Sequence, residues 1–489
     1  MRRPIVRALA AAAGAALLLA GLSCGKLTGT LRPHSPPETV VFVSGPVDTV
    51  NHLVHLYWYG SDPNGYVVGY ELRLLNPAAP AETAWVGTTR TDSLLTVHTP
   101  QGYTQPVFEV RAIDNDGARD PSPARQVFSF SNQPPVVRIT QRPGPRDSTF
   151  ASVTAGWSVT DPDGDPSRVR YLVWLNGHED DPEQTDQTTF TMPSERFLVG
   201  GQYASGPRTL YVRAIDDGGM AGPVDSMVWQ VKKPVAGTRA RLLLVDDVPR
   251  THAANNLIDT LYTNTAARNL PADAYTVLRL DFNQPFASAK DIEQTFKLFE
   301  AVVWYRGNVT FVSNTLRDYQ DGIGPYLESG GRFYLDGLYL FSGLNAPGAL
   351  REDFADRYLN CDGFLKCFQL VQNFSDSTLG WGNVNASVFR STMFADSTRQ
   401  PLLGAQTGEA GGFRVFNPRS NSIVALSAPP GTITPARPDT LTVGVSVPQP
   451  SGGRAIVLAV PLGTSQPANA SSGPRLLAKI FGQLGLTGP

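Results

Sequence analysis

The chain has 489 residues, of which 41% are hydrophobic and 17% are charged, and its formal net charge is -2. This length exceeds what one hydrophobic core usually supports, so we expect several folded domains. The near-neutral charge gives no electrostatic reason to expect a nucleic acid partner, and beyond residue 24 no apolar run is long enough to span a membrane.

The N-terminus has the features of an export signal. Three arginines precede an apolar run, residues 8–20, which is too short for a permanent membrane-spanning helix. The next segment, Leu-Ala-Gly-Leu-Ser-Cys at 19–24, resembles a lipobox, the bacterial lipoprotein motif in which the cysteine is acylated after cleavage. The resemblance implies that residues 1–23 are a lipoprotein signal peptide and that Cys24 carries the lipid. The alternative is an ordinary signal peptide cut near Ser23, which leaves a free thiol.

The residue after the cysteine bears on localisation. Gly25 stands where an aspartate would retain a lipoprotein at the inner membrane, and this resembles the pattern that allows sorting to the outer membrane of a Gram-negative cell. We therefore expect an exported, lipid-anchored protein whose membrane contact is made through Cys24. Residues 24–36 are expected to be a linker.

Two internal repeats follow, with a period of about 100 residues. Residues 56–65 (LYWYGSDPNG) align with 155–164 (AGWSVTDPDG), and 110–114 (VRAID) recur as 212–216. In each copy an alternating run with a tryptophan predicts a strand, and Asp-Pro-Asn/Asp-Gly predicts a turn. The period fits one β-sandwich per repeat.

These repeats resemble fibronectin type III and related immunoglobulin-like modules. The resemblance implies an early core strand that carries the tryptophan and a late strand that carries Val-Arg-Ala-Ile-Asp. We expect one sandwich at 37–133 and a second at 134–234, separated by Pro134-Pro135.

Residues 235–489 change period and predict an α/β domain. Short apolar runs alternate with segments of helical spacing, which implies a parallel sheet covered by helices on both faces. Ser288 is expected to cap one helix, and Pro474 is expected to open the last helix. Gly331 is expected to end the helix that directly precedes it, in the left-handed conformation. The predicted strands are the runs at 241–246, 275–280, 301–305, 332–336 and 455–460.

Residues 338–450 interrupt this alternation and are rich in Gly, Pro, Ser and Asn. We expect a β-rich insertion whose extra strands and long loops lie over one end of the sheet. The insertion contains Cys361 and Cys367, and export favours a disulfide between them. Two buried, reduced thiols are the alternative.

The order of elements, with Tyr-Leu-Glu-Ser-Gly-Gly-Arg-Phe-Tyr-Leu-Asp-Gly at 326–337, is similar to the class I glutamine amidotransferase-like fold. The similarity covers residues 238–337 and 453–486. Active members of that family carry a cysteine at the elbow after this strand and a histidine farther along the chain. Here the elbow has Asp336-Gly337-Leu338-Tyr339 and the region has one histidine, His252. The resemblance therefore implies the fold without the family's nucleophile, and we expect no catalytic residues.

The carboxyl ends of parallel strands are where open α/β sheets bind ligands. We expect a ligand-binding rim there, in which acids, aromatic rings and an arginine suit a sugar or a polar peptide. The alternative is structural, with Asp246 capping a loop and Trp304 in the core. The predicted rim consists of Asp246, Asp247, Trp304, Tyr305, Arg306, Asp336 and Tyr339.

A second candidate site lies in the second repeat. Asp161, Asp163 and Asp165 alternate around a proline and a glycine, an arrangement that can supply several oxygens to calcium. The same residue types also build tight turns without an ion. Calcium is the one cofactor that the sequence suggests.

Together these features predict two all-β sandwiches followed by an α/β parallel-sheet domain of the flavodoxin or amidotransferase type. The expected function is that of a membrane-anchored binding or structural lipoprotein of the cell envelope, with a glycan or protein as ligand. The alternative is a secreted hydrolase of carbohydrates or peptides that uses strand-end carboxylates. Two acids held ~5 to 9 Å apart across an open cleft would favour hydrolysis, whereas a filled rim would favour binding alone.

Overall fold

The computed structural model forms two compact units. The first runs to Gln133 and includes the segments Asp163–Asp165 and Asp217–Met220, and the second contains the rest. The structure describes residues 35–43, 53–77, 84–143, 148–237, 240–249, 255–280, 286–307, 314–337, 340, 350–364, 368–370, 382–384, 390–391, 416–419, 423–428, 433–434, 441–459, 462 and 472–487.

The first unit contains a β-sandwich, as the first repeat predicts. One sheet has the order β1-β2-β5 and the other has the order β4-β3-β7-β8, with β6 and β9 paired separately. Trp58 on β2 is buried between the sheets, with its ring centroid 5.7 Å from that of Phe108 on β7. The strands are β1 (Glu38–Val43), β2 (Leu53–Ser61), β3 (Val67–Leu75), β4 (Val86–Thr88), β5 (Asp92–Thr96), β6 (Tyr103–Thr104), β7 (Val107–Asp114), β8 (Ala124–Val127) and β9 (Phe130–Ser131).

The second unit begins with a second sandwich of the same design. Its sheets have the orders β10-β12-β15 and β11-β19-β18-β13-β14, and Trp157 on β12 packs against Tyr171 on β13 with ring centroids 5.3 Å apart. The strands are β10 (Val136–Gln141), β11 (Ser148–Thr149), β12 (Val153–Thr160), β13 (Arg170–Leu175), β14 (Glu183–Thr185), β15 (Thr189–Met192), β16 (Leu198–Val199), β17 (Gln202–Tyr203), β18 (Gly206–Ile215) and β19 (Ala221–Val231). The repeated tryptophan and the repeated Val-Arg-Ala-Ile-Asp therefore occupy equivalent core strands in both copies.

An α/β sheet follows in the same unit. Strands β21, β20, β22, β23 and β32 are adjacent in that order, and each neighbouring pair is parallel. This is the 2-1-3-4-5 order of doubly wound flavodoxin-like sheets. The elements are β20 (Leu242–Asp246), α1 (Asn255–Asn269), β21 (Tyr275–Arg279), α2 (Ala289–Phe296), β22 (Ala301–Tyr305), α3 (Thr315–Tyr319), α4 (Ile323–Glu328), β23 (Arg332–Asp336), α5 (Glu352–Leu359), β24 (Cys361–Phe364), β25 (Phe368–Leu370), β26 (Gly382–Val384), β27 (Arg390–Ser391), β28 (Phe416–Pro418), β29 (Ile423–Ala428), β30 (Ile433–Thr434), β31 (Leu441–Pro448), β32 (Arg454–Leu458) and α6 (Ser472–Gln483).

The ends of the helices show where local prediction succeeds and fails. Ser288 caps α2 as expected, since its hydroxyl accepts a hydrogen bond from the Asp291 N–H at 3.0 Å. The prediction that Gly331 ends the preceding helix in the left-handed conformation is wrong by one residue. Gly330 has the positive φ, of 94°, and Gly331 does not. Gly331 is instead required by packing, since a Cβ there would lie 2.4 Å from the ring of Tyr326.

Most of the described strands of the insertion widen the α/β sheet at one lateral edge. β31 pairs antiparallel with β32, and β28, β29 and β24 continue the same sheet beyond it. The extra strands are therefore present: β24, β27, β28, β29 and β31 extend one lateral edge of the sheet, and β25, β26 and β30 form a separate three-stranded sheet. Most of residues 365–440 lie outside the described residues.

The second sandwich and the α/β sheet share one continuous hydrophobic core. Phe150 meets Phe299 edge to face, with ring centroids 5.6 Å apart. Polar groups join the same surfaces, since the Ser152 hydroxyl donates to the buried Asp291 carboxylate and the Ser194 N–H donates to Gln294 Oε1 at 3.0 Å. The expected boundary near residue 234 is thus a change of architecture within one packed unit.

Candidate functional site

The predicted rim residues are brought together by the register of the parallel strands. Asp246 at the end of β20 lies beside Tyr305 on β22, and Tyr305 lies beside Asp336 on β23. Asp247 and Arg306 follow directly. Because β20 and β22 flank the point where the strand order reverses, this is the position at which doubly wound sheets bind ligands.

The side chains at this position are buried and do not line an open surface. Relative exposure is 3% or less for the six predicted rim residues that the structure describes. Tyr339 lies outside the described residues. These six side chains fill the strand ends, and a ligand-binding role for them stays a prediction.

Asp247 and Arg306 form a buried ion pair at the switch point. Arg306 Nε lies 3.1 Å from Asp247 Oδ2, and the indole N–H of Trp304 donates to the same oxygen at 3.2 Å. Burial lowers the pKa of Arg306, and the Asp247 charge opposes that shift. Two buried charges of opposite sign require each other, since either one alone would be uncompensated in a low-dielectric interior.

Asp246 is held in a second polar cluster. Its Oδ1 accepts a hydrogen bond from the Val248 N–H at 3.0 Å, so it caps the loop after β20, which was the structural alternative. Burial, reinforced by the neighbouring Asp259, raises the pKa of Asp246 to about 8. The Tyr305 hydroxyl donates to Asp259 Oδ1 at 3.0 Å, and Arg279 lies 3.4 Å from the other Asp259 oxygen.

Asp336 is completely buried at the end of β23. Its Oδ2 accepts hydrogen bonds from the Tyr262 hydroxyl and from the Leu462 N–H, the latter at 2.7 Å. Burial raises the pKa of Asp336 to about 6, and these hydrogen bonds oppose the rise. The ring of Tyr262 stacks on that of Tyr305 with centroids 4.1 Å apart, so this cluster adjoins the one around Asp246.

This arrangement has a direct chemical consequence. Hydrolysis by two carboxyl groups needs them to face a substrate across an open space. Here Asp246 is hydrogen-bonded with Asp259, while Asp247 and Asp336 bind Arg306 and Tyr262. The described part of the strand ends supplies structural hydrogen bonds and no open carboxylate pair.

The turn after β23 has a backbone conformation that favours glycine. Gly337 has a φ of 155°, and a Cβ at this position would lie 2.9 Å from Cβ of Arg306. A glycine is needed here because a side chain would collide with the buried arginine. The backbone is thus shaped by packing at the end of β23.

An open groove that the sequence did not reveal lies beside α4 and α5. It has a volume of about 550 Å³. Arg351 contacts both Asp321 and Asp353, and Arg357 donates to Glu328 Oε1 at 2.6 Å. The groove is lined by Gln320, Asp321, Pro325, Glu328, Arg351, Asp353, Phe354, Asp356, Arg357 and Tyr358. These charges come from segments that are distant in the chain, so no local motif marks them.

The other predicted site residues are placed as follows. Asp161, Asp163 and Asp165 lie in the turn after β12, and Asp163 accepts a hydrogen bond from the Gln133 N–H at 3.0 Å. Among the described residues, no group of three or more His, Cys, Asp or Glu is arranged to hold a metal ion. Calcium binding stays a prediction, which a rise in melting temperature on adding calcium would support.

The two remaining predictions concern cysteines. Cys24 and Cys367 lie outside the described residues, so lipidation and the disulfide also stay predictions. Cys361 is buried at the start of β24, with its sulfur 3.2 Å from the Leu359 carbonyl oxygen. In the part of the chain that the structure describes, no helix has the length and apolarity needed to cross a bilayer.

Comparison with known proteins gives solved structures only. No protein-family model matches the chain, and no curated protein matches it. The chain is similar to the fibronectin(III)-like modules of Clostridium thermocellum CbhA, at 16% identity and a TM-score of 0.20, over 40% of this chain and 95% of that one. It is also similar to the FN1-FN3 domains of chicken CNTN1, at 15% identity and a TM-score of 0.17, over 45% of this chain and 69% of that one.

Proposed function

We propose that this protein is a lipid-anchored binding or structural protein of the bacterial cell envelope, in which two β-sandwich modules accompany a non-catalytic amidotransferase-like domain. The observation that carries the proposal is the filled strand-end position of the α/β sheet. Six side chains that would line a substrate site there are buried, and Tyr262, Asp259 and backbone N–H groups contact three of them. Binding would then involve other surfaces of the chain.

The anchor is the first part to test. Expression of the full chain in a Gram-negative host with radioactive palmitate is expected to label the protein, because acylation of Cys24 adds fatty chains. Cys24→Ala is expected to abolish the label, and Cys361→Ala, which changes a buried cysteine, is the control that keeps it. Label retained in Cys24→Ala would overturn the lipoprotein assignment.

The absence of amidotransferase chemistry is the second part to test. The purified protein is expected to release no ammonia from glutamine above the rate of a heat-denatured sample. Glutamine hydrolysis that disappears in Asp336→Asn, with the melting temperature unchanged, would contradict the proposal. A glycan and peptidoglycan binding screen on the same preparation tests the binding role directly.

A further inference from the structure

One face of the first sandwich exposes an unusual set of apolar side chains. On the outer side of the sheet β1-β2-β5, Val40, Phe42, Tyr59 and Leu94 are 60%, 50%, 64% and 60% exposed. Val40 is the cross-strand partner of Tyr59 and Phe42 is the partner of Tyr57, while Leu94 lies opposite His55 on the same face. We call Val40, Phe42, Tyr57, Tyr59 and Leu94 the outer patch. Contiguous exposed apolar patches of this kind mark interaction surfaces.

The outer patch is held in a fixed arrangement. The rings of Phe42 and Tyr57 are stacked with centroids 5.8 Å apart, and the Tyr57 hydroxyl lies 3.1 Å from His55 Nδ1. His55 Nε2 in turn lies 2.9 Å from Asp92 Oδ2. The aromatic rings are therefore ordered on the sheet surface before any partner arrives, which lowers the entropic cost of binding.

The fold does not require these residues, as the second sandwich shows. In its equivalent sheet, Ser158 follows the core tryptophan where Tyr59 does in the first copy, and its cross-strand partner is Arg138 where the first copy has Val40. Likewise Gln141 pairs with Gly156 where Phe42 pairs with Tyr57. The same strand pairing thus tolerates polar side chains on this face, so the outer patch serves something other than folding.

The corresponding face of the second sandwich is also used for docking. Thr154 and Thr191, which occupy the positions of His55 and Leu94, contact the Ser288 hydroxyl at the start of α2 at 2.8 and 3.1 Å. There the face carries hydroxyl groups and meets a protein surface through hydrogen bonds. The first copy carries aromatic and aliphatic groups on this face, and such groups favour a partner with an apolar surface or the interfacial region of a bilayer.

The position of the outer patch in the chain identifies that partner. β1 is the first described strand, and it carries Val40 and Phe42 on the edge of this sheet. Eleven residue steps separate Cys24 from Ser35, and that length of chain spans at most about 40 Å. The nine residues of β2 span roughly 30 Å, so the tether is comparable in length to the module that it joins. A lipid on Cys24 would therefore hold the outer patch within reach of the bilayer surface at high effective concentration.

The chemistry of the outer patch suits the interfacial region of a bilayer. Tyrosine is favoured at the depth of the headgroups, because one end of its ring is apolar and the other is hydrated, and phenylalanine and leucine bury their apolar groups at the boundary with the acyl chains. Arg90 and Asp92 beside the patch pair with each other at 3.5 Å, and Glu38 lies on the same exposed face of β1, two residues before Val40. The patch therefore has no excess of positive charge, which indicates a neutral headgroup surface and predicts that anionic lipid does not strengthen binding.

We propose that the outer patch docks the first sandwich on the lipid surface to which Cys24 anchors the chain. The inference rests on the proposed lipid anchor, which would supply the high effective concentration of the outer patch at the bilayer. The experiment tests the anchor and the docking surface separately. Val40, Phe42 and Tyr59 enter the headgroup region, and the His55–Asp92 pair, which lies between Tyr57 and Leu94 on the same face, contacts its hydrated layer. The anchor would then fix the orientation of the first module as well as its location.

The test is hydroxyl-radical footprinting of the lipidated protein in phosphatidylcholine vesicles, compared with an unlipidated chain that begins at Gly25, in buffer. Oxidation of the peptides that contain Phe42 and Tyr59 is expected to fall by about threefold or more in vesicles. Tyr66 and Tyr103, which are 67% and 57% exposed elsewhere on the module, are the internal controls and should be oxidised equally in both samples.

The matched variant takes its side chains from the second sandwich. Val40→Arg, Phe42→Gln and Tyr59→Ser together are expected to keep the strand pairing and remove three of the five apolar side chains of the outer patch. In this variant, palmitate incorporation should be unchanged, while oxidation of the Tyr57 and Leu94 peptides should rise to the level in solution. Equal oxidation of the outer patch in vesicles and in buffer would overturn the proposal, as would protection that appears only on adding a soluble glycan or another protein.

If palmitate is not incorporated, the anchor fails independently of the outer patch. Sedimentation of the unlipidated chain with phosphatidylcholine vesicles then decides the question. Binding that is insensitive to salt and lost in the triple variant would support the lipid-facing surface without the anchor. No binding in that experiment would reject it.

Discussion

Asp336 accepts hydrogen bonds from two different elements, the Tyr262 hydroxyl on α1 and the Leu462 N–H after β32. Asp336→Ala leaves both donors without this acceptor inside the core, so we expect a loss of stability of about 2 to 4 kcal/mol. Asp336→Asn keeps an oxygen acceptor and removes the charge, and it should cost much less. Thermal unfolding of the two variants at pH 7 measures the difference.

The result bears directly on the predicted site. A structural Asp336 requires that the alanine variant melt several degrees below the asparagine variant. Equal melting temperatures for both variants and the parent would show that the hydrogen bonds of Asp336 contribute little. A ligand-binding role would then regain support.

Element boundaries near α3 and α4 follow from close packing rather than from propensity. The sequence predicts one helix through Leu316 and Leu327, but the structure breaks it at residues 320–322, and α4 begins at Ile323. A Cβ on Gly322 would lie 2.0 Å from the carbonyl oxygen of Ala289 on α2. Backbone meets backbone at this contact, so no side chain can be accommodated.

Gly322→Ala is accordingly expected to destabilise the second unit by roughly 3 kcal/mol or more, because one of the two helices must move. Gly482 is the matched control. It is exposed within α6, and a Cβ added there would have its nearest neighbour, a methyl carbon of Thr487, at 3.6 Å. Gly482→Ala should raise stability by about 0.5 to 1 kcal/mol through helix propensity. Chemical denaturation measures the change in unfolding free energy for each variant, and a change of the same sign in both would contradict this account.

The disulfide prediction belongs to the insertion. Closing the short loop between Cys361 and Cys367 should add about 2 to 3 kcal/mol to the insertion alone. Titration of the denatured, unreduced protein with a thiol reagent is expected to find neither cysteine reactive. Two reactive thiols beyond Cys24 would refute the bond.

At the scale of the whole molecule, the internal repeats could be predicted from the sequence, whereas the hydrogen-bond partners of the buried polar side chains could not. The recurring tryptophan and Val-Arg-Ala-Ile-Asp segments identified the strands of two sandwiches, and apolar runs alternating with helical periods identified the parallel sheet. The sequence also placed Asp246 and Asp336 at the ends of strands. It could not show that Tyr262 or Asp259 would cover them, because those partners come from α1, whose sequence carries only a helical period.

The buried carboxyl groups predict how the stability of the second unit depends on pH. Burial raises the pKa of Asp291 and of Asp336 to about 6, and that of Asp246 to about 8, from an ordinary value of 3.8. The folded state therefore binds more protons than the unfolded state between pH 4 and these values, so the free energy of unfolding falls as pH rises. The favourable contribution is complete below about pH 4, and it is lost through pH 6 for two of the groups and through pH 8 for Asp246.

We therefore expect the second unit to melt at a higher temperature at pH 5 than at pH 8, with the slope in that range reduced by Asp246→Asn. Glu293 acts in the opposite direction: burial raises its pKa, but the ion pairs with Lys290 and Lys297 outweigh burial and lower it. The stability that Glu293 contributes is lost only below about pH 4.5, so the upper pH range depends on the buried aspartates. Hydrogen-exchange protection of the β22 and β23 amides at pH 5 and pH 8 measures the stability of the second unit separately from that of the first. Protection that is equal at pH 5 and pH 8 would mean that the aspartates titrate near their ordinary values and that water reaches the strand ends.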